Sequence, residues 1–269
     1  MPSSAFPGAP GPIPQSAVER DEAAHAQPAA LVGERAASGM LTAACLPGLL
    51  QLASAALPIG AFSHSLGLES AVDAGAVCDA ASAERWIGDH LQLVWARGEA
   101  PVWTALYDAW EQAETNALVH WNDLVLATRE SAELLQECTQ TGHSLRLWLL
   151  ALPELAALRA DQRLALQQLQ PVAYASAHAL AARALGLSAA AGLYAIGWSL
   201  MENLCTAALK LVPLGQTQGQ ALLRRLSLCL PAVVERALFT PAEDACNFAP
   251  MLAIRSAQHE SQYSRLFRS

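Results

Sequence analysis

From Leu41 onward almost every segment of this chain repeats its apolar residues at helical spacing, and almost nothing alternates with the period of two that a half-buried strand requires. That pattern excludes sheet architectures. It predicts an all-α fold, a single-domain bundle of roughly nine to ten helices, with segments near 41–54, 65–74, 82–97, 101–115, 117–138, 141–151, 161–185, 188–211 and 217–239. Ser82 suits the cap of the third helix, Pro101 suits a first turn, and Gly98, Gly186 and Gly215 stand where helix ends favour glycine. Pro171 interrupts or kinks the seventh segment.

These helices are apolar around most of their circumference. Of the 269 residues, 53% are hydrophobic and only 15% charged, and seven are tryptophan. Helices of this kind are covered on most sides by neighbours or by another chain, so an oligomerising bundle is expected. The uncharged run from Ala184 to Met201 reaches the lower length limit of a membrane span. Ser188, Gly192, Gly197, Ser199 and many alanines keep its transfer energy modest, so it reads as a buried helix and no membrane association is expected. Met40 to Leu57 lacks the basic start of a secretory signal and reads as a first core helix. Residues 1–39 carry six of the 15 prolines among Ala, Ser and Gly, which predicts a disordered extension. The expected organisation is therefore an extension over 1–39, a helical domain over 40–254 and a partner-docking tail over 255–269.

A net charge of −8, with no cluster of Lys or Arg, argues against nucleic acid as a partner. The six cysteines show no CxxC pair and no zinc-type spacing, which suits small buried residues in a reducing, cytoplasmic compartment. Phosphate-binding, zinc-protease, serine-hydrolase and dinucleotide motifs are all missing, as is the Glu-x-x-His pair of di-iron bundles. The chain is expected to have no catalytic residue, metal ligand or cofactor. His178, on an alanine-rich face, reads as a hydrogen-bonded helix histidine.

Three stretches carry more information. Leu49 to Gly75 breaks at Leu57-Pro58, crosses Gly60 into the polar patch Ser63-His64-Ser65, then resumes helical spacing, which makes it a shaped loop between two helices. In this loop His64 reads as a partner contact. Lys210 ends a long helix and is followed by VPLGQTQGQ, a turn forced by Pro213 and Gly215 that presents Gln216 and Gln220. The tail RSAQHESQYSRLFRS sets three Arg against one Glu, with Tyr263, Leu266 and Phe267 as anchors. Arg interleaved with aromatic and leucine side chains is how binding hot spots are composed.

With LPIGAFSHSLGLE, KLVPLGQTQGQ and HESQYSRLFRS in this order from Leu49 to Ser269, the chain resembles the UreF family of urease accessory proteins. The resemblance implies an all-helical, dimerising, non-catalytic scaffold. It implies binding of the accessory protein UreH/UreD, a platform for the GTPase UreG, and GTP-dependent delivery of nickel to apo-urease through the complex. Matched residue by residue, it marks Ser63, Gly67 and Glu69 in the first signature, where His64 is expected to contact a partner from its place in the loop, and Lys210, Gln216 and Gln220 in the second. In the tail it marks His259, Glu260, Gln262, Tyr263, Arg265, Leu266, Phe267 and Arg268. The chain departs from the family pattern at His64, where Tyr is more usual, at Leu66, where Gln is common, and at Ala257, where Met is usual. Two alternatives stay open: a GTPase activator donating Arg265 or Arg268 in trans, and a nickel carrier using histidines and cysteines.

Overall fold

The computed structural model describes residues 43–112, 114–152 and 158–269. The expected disordered extension over 1–39 lies outside the described residues. All described residues fall in one compact unit, Gly39–Ser269, and among them every regular element is a helix.

Helix α1 (Leu46–Ala53) begins with Pro47 in its first turn, where a missing N–H costs nothing. A single 3₁₀ turn (Ala61–Ser63) leads to α2 (Leu68–Asp73). Helix α3 (Ala80–Asp89) runs into a π-helix (His90–Glu99) and from there without interruption into α4 (Ala100–Gln112). Then follow α5 (Thr115–Ala127), α6 (Ala132–Ala151), α7 (Ala160–Gln168), α8 (Tyr174–Ala184) and the 23-residue α9 (Ala189–Leu211). Helices α10 (Gln216–Ser227), α11 (Leu230–Phe239) and α12 (Pro250–His259) complete the order.

Several boundaries differ from the sequence expectation for identifiable reasons. The expected helix over 117–138 is two helices, because Ser131 caps α6 by accepting the Leu134 N–H and Asn247 Nδ2 binds the Thr128 carbonyl left over from α5. The expected break near residue 140 does not occur, and α6 is continuous through Gly142. Ser82 is not the cap of α3 but the third helical residue of a reciprocal capping pair: Asp79 Oδ1 accepts its N–H at 2.8 Å, and its Oγ accepts the Asp79 N–H at 3.1 Å. Gly98 and Pro101 mark no helix end, since the chain is wound through both as π-helix and then α-helix. Pro231 divides the expected helix over 217–239 into α10 and α11, with the proline in the first turn of the second.

The long helix α9 packs against α1, α8, α10 and α11. Around it the main core holds Trp95, Trp103 and Trp110, each 1% exposed or less, and a second cluster gathers Leu68, Ile87, Leu91, Met201, Leu204, Leu222 and Phe267. Alanine abundance has a structural use in α8, where Ala177, Ala179, Ala181 and Ala182 are completely buried and allow close packing on α4 and α6. At Gly142 of α6 the approach is so tight that an added Cβ would meet the Val172 carbonyl oxygen at 2.3 Å. No described helix is long and apolar enough to cross a membrane.

Candidate functional site

Two left-handed residues in succession, Leu66 (φ 52°) and Gly67 (φ 81°), turn the loop into α2. Glycine adopts this geometry freely, whereas leucine does so at a cost, and among the described residues Leu66 is the only non-glycine with positive φ. Gly67 is also needed for closeness, since a Cβ there would lie 3.2 Å from the Ser256 nitrogen on α12. Upstream, Ser63 Oγ donates to the Gly60 carbonyl at 2.8 Å and closes the 3₁₀ turn.

Against this loop lies the tail. Arg268 N–H donates to the Ser63 carbonyl at 2.8 Å, and the Ser269 main-chain oxygen accepts from Ser65 N–H at 2.7 Å and Ser65 Oγ at 2.5 Å. His64 Nδ1 meets Ser269 Oγ at 3.0 Å, and the His64 carbonyl accepts from Asn203 Nδ2 of α9 at 2.9 Å. His64 is 2% exposed, and burial together with the nearby Arg268 guanidinium lowers its pKa to about 4, so the ring is neutral at pH 7.

Two buried carboxylates hold the rest of the strap. Glu69, in the first turn of α2, accepts Leu266 N–H at 2.6 Å and Phe267 N–H at 2.8 Å, and its Oε2 lies 3.1 Å from His259 Nε2. Glu133, in the first turn of α6, meets His259 Nδ1 at 2.6 Å and accepts from Arg265 Nη1 at 2.6 Å. His259 is completely buried, with a carboxylate at each ring nitrogen. A buried carboxylate is tolerated when each oxygen has donors, and here main chain, imidazole and guanidinium supply them. Phe267 fills the second core cluster and carries Lys210 Nζ 5.3 Å above its ring. Ser131 Oγ and Ser256 Oγ, 2.6 Å apart, and Glu260, which accepts the Ala132 N–H at 2.7 Å, join α12 to α6.

The structure therefore brings together Ser63, His64, Gly67, Glu69, Lys210, His259, Glu260, Arg265, Leu266, Phe267 and Arg268. Gln216 and Gln220 sit exposed on α10, outside these hydrogen bonds, while Gln262 turns back onto Ser264 and Tyr263 is fully exposed. Sequence reasoning passed over Glu133, Ser131, Ser256 and Asn203, which look like ordinary helix residues. It placed Ser65 in the polar patch of the loop without giving it a partner, and it passed over Ser269, although both stand inside the quoted signatures.

A hydrophobic face adjoins the strap. On α12 the buried side holds Ser256 and His259, while Met251 (55% exposed) and Ile254 (47%) point outward, and Phe248 (80%), Leu266 (64%) and Tyr263 are exposed as well. The geometry is that of an all-helical protein whose tail is pinned to a shaped loop and leaves an apolar face open beside it. The chain belongs to the UreF family of urease accessory proteins, whose family model matches residues 77–227. It is 42% identical over 227 residues to the urease accessory protein UreF of Polynucleobacter asymbioticus, covering 83% of this chain and 97% of that one. To the UreF of Cupriavidus necator it is 47% identical over 228 residues, with the same two coverages, 83% and 97%. A bifunctional urease accessory protein UreEF of Bordetella bronchiseptica is 46% identical over 234 residues, which span 85% of this chain and 53% of that protein.

Proposed function

We propose that this chain acts in urease maturation as a non-catalytic cytoplasmic scaffold. It works as a homodimer that binds UreH/UreD through the tail and the outer face of α12. The assembly then presents a platform to the GTPase UreG for GTP-dependent nickel delivery to apo-urease. The exposed face of α12 carries the proposal: Met251 and Ile254, three residues apart on the helix, are both exposed, as are Phe248, Tyr263 and Leu266, and large apolar groups at a protein surface are the material of interface cores. The fused UreEF relative supports association with other accessory proteins, since there one chain carries both names. Arg265 is already held by Glu133 at 2.6 Å, which favours a role in shaping the tail over one as a mobile arginine donated in trans.

Surface substitutions test this better than truncation. Ending the chain at Gln258 would remove His259 and leave two buried carboxylates without their shared partner. Met251→Asp with Ile254→Asp alters only exposed side chains, so helix content and Tm should stay near those of the parent. In size-exclusion chromatography with light scattering, the parent is expected to form a heteromer with UreH/UreD and the double variant to lose it by at least tenfold in affinity. A folded double variant that binds as well as the parent would place the docking surface elsewhere.

A further inference from the structure

The π-helix is the least ordinary element of the fold, and its winding decides which side chains share a wall. Nine residues of α-helix are about two and a half turns, which would set His90 and Glu99 on opposite sides. The wider i→i+5 winding, seen where Ala100 N–H bonds to the Trp95 carbonyl, instead brings both to one interior cavity of about 50 Å³. Facing them are Arg129, Glu137 and Cys138 from the α5–α6 region and Tyr174 from α8.

The chamber is polar and incompletely satisfied. Glu99 and Arg129 pair at 2.7 Å, but His90, only 7% exposed, has a buried Nδ1 with no protein partner. Burial holds the His90 pKa down to about 4, raises that of Glu137 to about 7 and pushes the Cys138 thiol to about 11. Apolar voids of this size stay dry, whereas one lined by unpaired polar groups holds water at roughly 10–15 Å³ or more per molecule. An anion would meet Glu99 and Glu137. A cation would meet Arg129, and no trio of His, Cys, Asp or Glu among the described residues is grouped for a metal.

We propose that the π-helix builds a resident water site, in which bound waters join His90 Nδ1 to the Glu137 carboxyl and the Glu99–Arg129 pair. A second cavity of about 50 Å³ has Glu99, Val125 and Arg129 in its lining too, together with Asn247. Leu66, the left-handed residue beneath the tail, forms part of the chamber wall.

A crystal structure of the full chain, at a resolution that shows ordered water, tests this directly. At least one water is expected within about 3.2 Å of His90 Nδ1. An empty chamber, or a protein partner on that nitrogen, overturns the proposal. Ala175→Val, which adds two methyls at the wall, gives a second readout. It should lower Tm in the parent by displacing water from polar groups, yet be neutral or raise Tm in a His90→Phe, Glu137→Leu background. Equal lowering in both backgrounds would mean simple crowding and also overturn it.

Discussion

Glu69 is the residue on which the strap depends, because one carboxylate serves two main-chain donors and faces an imidazole. Glu69→Gln keeps the shape but replaces an accepting oxygen with a donating NH₂, so one of Leu266 N–H, Phe267 N–H or His259 Nε2 must face a donor. Leaving a buried donor unpaired costs about 1–3 kcal/mol, equivalent to roughly 5–150-fold in a local opening equilibrium. Amide hydrogen exchange at Leu266 and Phe267 should therefore speed up by that factor, while exchange in α9 stays unchanged. Uniform exchange in parent and variant would show that the tail is held by Phe267 packing alone. Half of this arrangement could be read from the sequence. The signatures marked Glu69, His259 and Arg265, but Glu133, the partner that His259 and Arg265 share, lies 126 residues from His259 in an unremarkable helical turn, and no local pattern announces a contact at that separation.

At the scale of elements, apolar periodicity specified that helices form, and chain punctuation specified their ends less well. Pro231 and Gly186 acted as local rules say, the latter at φ 69° beyond α8. The α5–α6 break was hidden because it relies on Asn247, 119 residues away, to satisfy the Thr128 carbonyl. The π-helix was hidden because its i→i+5 bonds are set by what packs around them. Gly142 shows the same dependence on tertiary contact. Gly142→Ala would ordinarily favour a helix, yet the new methyl would sit 2.3 Å from the Val172 oxygen and force α6 from α8. A loss of about 1–3 kcal/mol is expected from such overpacking, and chemical denaturation would measure it. A stabilised variant would mean that α8 shifts freely. Asn122 offers an independent check on the same joint, as its side chain donates to the Pro171 carbonyl and accepts from Ala173 N–H and Ser176 Oγ. Asn122→Leu should lose a comparable amount.

For the whole molecule, buried titratable groups pull stability in opposite directions along the pH scale. His64 and His90 are lowered to about 4 and His178 to about 3, in each case chiefly by burial. Their unfolded forms take up protons first, so this stability is complete above the unfolded value of about 6.5 and is lost as pH falls through 4. Glu137 has the other sign. Its folded pKa is raised to about 7 by burial, so its contribution is intact below the unfolded carboxylate value and is lost as pH rises through 7. Three histidines outweigh one carboxyl, so Tm should climb from about pH 4.5 to about 7 and then level off, until the buried thiols of Cys138 and Cys205, raised to about 11 and 12, pull it down in alkali. Glu137→Gln isolates the opposing contribution. Relative to the parent it should be neutral near pH 4.5 and more stable by about 1–3 kcal/mol at about pH 8, read as a Tm gap that widens with pH by roughly 2–4 °C per kcal/mol. A gap that is constant across this range would mean that Glu137 titrates as an ordinary surface carboxyl, with its charge already met by Arg129 or by solvent.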